Sequence, residues 1–91
     1  MEKPPFTEVW NRVKAHRGER FHTITGLPFT YRVVRSNVIP DRTGYSLHRS
    51  NFEKAYRLIP IGGPGEINYL VRGPAYVWAI LHDVRISKGD W

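Results

Sequence analysis

The chain has 91 residues, of which 41% are apolar and twelve are aromatic, so it is suited to one small folded domain and not to a disordered chain. It contains no cysteine, which excludes disulfide bonds, thiol catalysis and thiolate metal sites. Fourteen Lys and Arg, ten of them arginine, outnumber eight Asp and Glu and give a net charge of +6. An excess of arginine on so small a domain predicts a polyanionic partner.

The first predicted element is a helix from about Thr7 to Lys14. Gly18 lies just past its end, where glycine favours termination. The apolar residues that recur at helical spacing, and that we expect to face the core, are Phe6, Val9, Trp10 and Val13.

Three strands are predicted next. Arg20–Thr25 and Phe29–Val34 are rich in aromatic and β-branched residues, and the turn residues 26–28 between them predict a hairpin. Asn37–Ile39 is expected to extend the second strand past a bend. Tyr45–Arg49 forms the third strand, after a turn that begins with Pro-Asp.

A second helix and a fourth strand follow. Ser50 and Glu53 have the spacing of a capping box, which predicts a helix start at this point, and Pro60 ends the helix. Beyond a glycine-rich loop, Ile67–Val71 alternates apolar and other residues, as a half-buried strand does.

The segment from Gly73 to Asp83 predicts a buried helix. Gly73 can cap it and Pro74 suits the first helical position, while the apolar residues 75–81 leave no polar face. We expect Asp83 at its end to form an ion pair or hydrogen bond with Arg85, Arg72 or a free backbone N–H. Residues 84–86 continue as a last turn or a short strand.

These elements follow the order α-β-β-β-α-β-α, which predicts an α+β domain. A three- to four-stranded, mainly antiparallel sheet is packed against about three helices. One domain spans residues 1–91, with loose tails expected at 1–5 and 87–91. The first residues lack the apolar region of a signal peptide, and the seven apolar residues 75–81 fall far short of the roughly 20 that cross a membrane. We therefore expect a cytoplasmic protein without membrane contact.

Arginines on the predicted strands and turns are the candidate functional residues. A sheet that buries Tyr31 leaves Arg32 on its solvent face, beside His48 of the next strand. Together with tyrosines that can stack on bases, this pattern predicts a nucleic-acid-binding module, with DNA favoured over RNA. The predicted phosphate contacts are Arg32, Arg35, Arg42, Arg49 and Arg57, with His48 and Tyr45 nearby. A second version of the hypothesis uses helical cations instead, namely Arg12, Lys14, Arg17, Lys54 and Arg57.

Two other functions stay open. The aromatic excess suits a protein-interaction module or a homodimeric accessory protein without catalysis. Four histidines, His16, His22, His48 and His82, permit a small metal-independent nuclease, although nothing in the sequence brings two of them together. We assign no catalytic residue, cofactor or metal site, because the histidines lack metal-ligand spacing and the Gly62–Gly65 loop lacks the Gly-Lys-Ser/Thr ending of a phosphate loop.

Three blocks of the chain resemble a group of small uncharacterised bacterial proteins. The blocks are 52–56 (FEKAY), 63–68 (GPGEIN) and 71–83 (VRGPAYVWAILHD), and residues 21–29 (FHTITGLPF) are similar to the hairpin of the same group. The resemblance covers about residues 20–86. It implies an association with mobile or defence-related bacterial DNA and assigns no activity or site residue.

Overall fold

Helices and short antiparallel strands combine in an α+β domain, which confirms the predicted fold class. The computed structural model describes residues 3–44 and 46–91. Within these residues the elements are α1 (Phe6–Ala15), β1 (Phe21–His22), β2 (Pro28–Phe29), β3 (Tyr31–Val34), β4 (Asn37–Pro40), β5 (Leu47–His48), α2 (Arg49–Leu58), a 3-10 helix (Pro64–Glu66), α3 (Pro74–His82) and α4 (Val84–Ser87).

The predicted first helix is confirmed as α1, and its four predicted core residues are buried. The chain then turns at Gly18, whose φ of 84° suits glycine, and the Gly18 N–H donates to the Tyr31 carbonyl at 2.8 Å. The Tyr31 hydroxyl donates to the Val13 carbonyl at 2.7 Å. These two bonds hold the carboxyl end of α1 against β3.

The strands form two sheets instead of the single sheet that the sequence predicts. β1 and β2 pair as the expected hairpin, with Phe21 opposite Phe29. The expected extension of the second strand by residues 37–39 is wrong: the chain reverses at Arg35 and Ser36, and β4 pairs antiparallel with β3. β5 then pairs with β4, which gives the order β3-β4-β5. The third predicted strand is thus shorter than Tyr45–Arg49, since Arg49 begins α2 and Tyr45 lies outside the described residues.

The register separates a buried and an open face of the three-stranded sheet. Opposed residues share a face, so one face carries the core side chains Tyr31, Val33, Val38, Pro40 and Leu47. The other face carries Arg32, Val34, Asn37, Ile39 and His48. Arg32 and His48 therefore lie on the same solvent-facing side, as predicted, but β4 separates their strands, which were expected to be neighbours.

Helix α2 ends before Pro60 as expected, but it begins differently. His48 is its N-cap, and its Nδ1 accepts from the Ser50 N–H at 3.1 Å, so Ser50 lies inside the first turn. The ring nitrogen takes the capping role that the capping-box pattern gave to the Ser50 hydroxyl.

The predicted fourth strand at residues 67–71 is wrong. Ile67 and Val71 are buried, but the Val71 N–H donates to the Ile67 carbonyl at 3.1 Å, as in one helical turn. Tyr69 between them is 79% exposed. Apolar residues four apart fit a helical turn as well as a strand over so short a segment.

Helix α3 is the central element of the core, as its composition predicts. Pro74 is its first residue, after Gly73 with a φ of 60°. A β-carbon on Gly73 would lie 2.8 Å from Leu47 Cδ2, so a larger residue would strain the backbone and displace the Leu47 side chain. Trp78 Nε1 donates to the Ile61 carbonyl at 3.1 Å, which satisfies its polar atom.

The end of the chain is packed and is not a loose tail. Residues 84–87 form α4, and Asp83 is its N-cap. Ser87 is buried, and Trp91 Nε1 donates to the Leu81 carbonyl at 2.7 Å. An indole buried on one side with its N–H satisfied anchors this segment to the domain.

Candidate functional site

Every acidic residue that the structure describes is engaged by a cation or by a backbone donor. Arg12 contacts Glu8 and Asp90, at 3.1 and 2.7 Å. Arg85 contacts Glu19 and Asp83, at 3.0 and 2.9 Å. Among residues 3–44 and 46–91, the other three acids also have partners: Glu53 pairs with Arg57, Asp41 accepts from the Thr30 N–H, and Glu66 accepts from the Gly62 N–H.

Six cations around β3 lack such partners. Within the described residues none of them forms an ion pair, and all are exposed. We call this set the β3 basic surface: Lys14, Arg17, Arg20, Arg32, Arg35 and Arg42. These six cations therefore place positive charge without a carboxylate partner beside one strand.

Three clefts lie beside these cations along β3. The Arg35 cleft, of about 310 Å³, is lined by Lys14, Arg17, Val33 and Arg35. The Arg32 cleft, of about 410 Å³, includes Gly18, Tyr31 and Arg32. The Arg42 cleft, of about 300 Å³, is lined by Arg20, Pro28, Phe29, Thr30, Asp41 and Arg42. The second and third clefts share Thr30 and Asp41, and the first and second are lined by residues adjacent in the chain, 17–18 and 32–33.

One carboxylate lies within this surface among the residues described. Asp41 Oδ1 accepts from the Thr30 N–H at 3.0 Å, and the Asp41 N–H donates to the Thr30 carbonyl at 3.0 Å. Asp41 thus closes the end of the β3–β4 ladder. It forms no ion pair with Arg42, whose Nη1 lies 3.5 Å from the Pro28 carbonyl.

Three of the predicted phosphate contacts belong to the β3 basic surface. Arg32 projects from the open face of the sheet, Arg35 lies in the turn after β3, and Arg42 follows β4. His48 is on the same face as Arg32, two strands away. Its Nδ1 is engaged with Ser50, so the Nε2 side remains for a partner.

The other predicted contacts lie elsewhere. The Arg49 guanidinium sits over the rings of Phe6 and Trp10, with centroid distances of 5.5 and 5.6 Å. Arg57 projects from α2 and contacts Glu53 at 3.2 Å. Tyr45 lies outside the described residues.

Lys14, Arg17 and Arg20 join the strand arginines at this surface, although the strand-based prediction omits them. The Gly18 turn folds the end of α1 back onto β3, a long-range contact that strand periodicity cannot indicate. The sequence signal for it is the glycine itself, with cations on both sides at positions 17 and 20.

The histidines are separated by their different contacts. His16 Nδ1 lies 3.0 Å from Glu19, and His82 stacks on Trp78 with ring centroids 4.5 Å apart. Burial lowers the pKa of His82. Within the described residues, no group of three or more His, Cys, Asp or Glu is placed to hold a metal. The nuclease hypothesis stays a prediction.

Several large apolar side chains are exposed, as a protein-interaction module would require. Ile24 and Leu27 are 53% and 49% exposed in the β1–β2 turn, and Val84 is 74% exposed at the start of α4. The β1–β2 turn and α4 are separate elements, and self-association also stays a prediction.

No helix among the described residues has both the length and the apolarity to cross a membrane. No protein-family model, curated protein or solved structure matches the chain. The resemblance to small bacterial proteins therefore stays a prediction.

Proposed function

We propose that the protein binds nucleic acid, with DNA as the first partner to test, through phosphate contacts along the β3 basic surface. The observation that supports this most is the separation of charge. Every described acid is engaged, whereas six cations beside β3 have no ion-pair partner among the described residues. Arginine and lysine without carboxylate partners are available to neutralise phosphates, which supplies most non-specific affinity for nucleic acid.

The dimensions of the surface suit several consecutive phosphates. From Thr30 to Arg35 the chain advances by about 17 Å, at about 3.3 Å per residue. One strand of a duplex advances about 3.4 Å per phosphate along the helix axis while it winds around that axis, so a surface of this length reaches a short run of consecutive phosphates.

The aromatic residues of the clefts favour a duplex over a single strand. Phe29 and Tyr31 are each 2% exposed, so their rings are not available to stack on bases. Binding that uses phosphates alone carries little sequence information. We therefore expect sequence-independent binding with a strong dependence on salt.

Fluorescence anisotropy with labelled 12-base-pair DNA, the matching RNA duplex and a single DNA strand tests the proposal. We expect micromolar dissociation constants for duplex DNA at low salt and a steep loss of affinity between about 50 and 200 mM salt. Absence of binding by the native protein at tens of micromolar would overturn the proposal.

Two charge-matched double variants locate the surface. Arg32→Ala with Arg42→Ala should weaken DNA binding about tenfold and reduce the slope of log K against log salt by about 2. Lys54→Ala with Arg57→Ala removes the same charge from the exposed face of α2 and should change affinity less than twofold. Equal losses in the two variants would mean that net charge, and not the β3 basic surface, determines binding.

A further inference from the structure

Arg35 has a positive φ, a backbone conformation that glycine adopts more easily than arginine does. It is the first residue of the two-residue turn between Val34 and Asn37, and its φ is 57°. Tight hairpin turns favour glycine, asparagine or aspartate where φ is positive, because a β-carbon is crowded there. Among the described residues, no side chain or carbonyl contacts its guanidinium in a hydrogen bond, ion pair or ring contact. Internal contacts therefore do not explain arginine at this position.

The Arg35 cleft gathers three positive charges with no acid in its lining. Lys14 and Arg17 reach it from the end of α1, and Arg35 from the turn after β3. Arg17 Nη1 also donates to the Lys14 carbonyl at 2.8 Å, which caps α1 and explains Arg17 in part. At about 310 Å³, the cleft lies at the lower bound of cavities that hold small ligands, about 300 to 1,000 Å³.

Backbone orientation adds a neutral donor to the cleft. The Tyr31 carbonyl accepts from Gly18 at the free edge of β3, so the polar groups of Tyr31 point away from β4. Residues two apart in a strand have the same orientation, and Val33 therefore directs its N–H to the same edge, beside the three cations.

From these features we propose that the Arg35 cleft binds a phosphate monoester, the terminal phosphate of a DNA strand; this inference rests on the proposed function. A terminal phosphate carries about −1.5 to −2 charges at pH 7, whereas each internal phosphodiester carries about −1. Three cations, offset in part by the negative end of the α1 dipole, leave about two positive charges, which match the dianion better. The remaining cations of the β3 basic surface then follow the strand away from its end.

The test compares 12-base-pair duplexes with 5′-phosphate, 3′-phosphate or hydroxyl ends in the same anisotropy assay. The native protein should bind one phosphorylated duplex about tenfold more tightly than the hydroxyl duplex. Equal affinity for all three duplexes would overturn this inference while leaving the proposed function in place. Absence of binding to any duplex would overturn both.

Arg35→Gly and Lys88→Gly form a matched pair of variants. Lys88 has a similar φ of 50°, at the end of α4, so both changes remove one charge and place glycine where glycine is favoured. Arg35→Gly should abolish the preference for the phosphorylated end and, because it also removes one cation of the β3 basic surface, weaken binding of the hydroxyl duplex about threefold. Lys88→Gly should retain the preference. A preference that survives Arg35→Gly would overturn the inference.

Inorganic phosphate distinguishes a strand end from free phosphate as the ligand. In an NMR titration, phosphate alone should shift the amide signals of residues 33–35 only at millimolar concentration. Arg35→Gly should remove that response. Saturation by phosphate at the concentration at which the phosphorylated duplex binds would indicate a free-phosphate site and overturn the assignment to DNA ends.

Discussion

The α1–α4 junction and the β3 basic surface use arginine in opposite ways. Arg12, with a side chain 11% exposed, contacts two carboxylates and donates to the Ile86 carbonyl at 2.9 Å. Arg85 contacts Asp83 and Glu19, donates to the Arg20 carbonyl at 2.7 Å, and lies 3.9 Å from the centroid of the Phe21 ring. The Asp83 hydrogen bonds raise the pKa of Arg85. Arg32 and Arg35 have no comparable contacts within the described chain.

Under the proposed function, this difference divides the charges of the domain between folding and binding. Where arginine is held by carboxylates and carbonyls, its guanidinium joins elements that are distant in sequence. Where the nearby acids pair with other groups, arginine has no carboxylate partner and remains available to a binding partner. If the division holds, substitutions at the α1–α4 junction lower stability, whereas substitutions on the β3 basic surface lower DNA affinity.

The largest expected effect is the loss of stability in Arg12→Ala. The change removes two charge-assisted bonds, a bond to a backbone carbonyl and the packing of the arginine stem, so we expect a loss of about 2 to 3 kcal/mol in the free energy of unfolding. Urea denaturation monitored by tryptophan fluorescence measures it. Arg32→Ala is the control and should change stability by less than about 0.5 kcal/mol. Similar losses in both variants would contradict the division of roles.

Asp83→Asn should have a smaller and pH-dependent effect. The Arg85 hydrogen bonds hold the pKa of Asp83 below its ordinary value, so the carboxylate stabilises the fold above about pH 4, and this contribution is lost as pH falls through the lowered pKa. Asparagine can keep the N-cap role but not the ion pair. We expect a loss of about 1 kcal/mol at pH 7 that shrinks at pH 3. Urea denaturation midpoints at pH 7 and pH 3 measure this loss of stability. An equal loss at the two pH values would exclude the ionic contribution.

Arg35→Gly is expected to raise stability. Relief of the positive φ should outweigh the greater freedom of glycine in the unfolded chain, for a net gain of about 0.5 to 1 kcal/mol. Thermal unfolding of the native and variant proteins measures the gain, and Lys88→Gly should show a gain of the same sign. A lower melting temperature for Arg35→Gly would mean that the side chain supports the fold and is not held for a ligand.

Local patterns predict the helices of this protein better than its β3 basic surface. The spacing of Val9 and Val13 predicts α1, and Pro74 predicts the start of α3, because these signals act within one or two turns. The β3–β4 turn is missed because Arg35 stands where glycine would have indicated it. The β3 basic surface depends on the Gly18 turn and on ion pairs that engage the acids elsewhere. It could not be predicted because local periodicity does not indicate contacts between residues distant in sequence.

Arg57→Ala has the smallest expected effect and tests an arginine that has a carboxylate partner but is exposed. Arg57 has a carboxylate partner, as Arg12 does, but its side chain is 75% exposed, and its contact with Glu53 is a single bond between residues four apart on α2. Such exposed helical pairs contribute about 0.3 to 0.5 kcal/mol, and alanine regains part of this through its higher helix propensity. We therefore expect less than about 0.5 kcal/mol of lost stability and less than a twofold change in DNA affinity. Thermal unfolding and anisotropy with the same duplex measure both. A several-fold loss of affinity at unchanged stability would show that an arginine with a carboxylate partner can still contact DNA. The exposure of the side chain would then also decide which arginines bind.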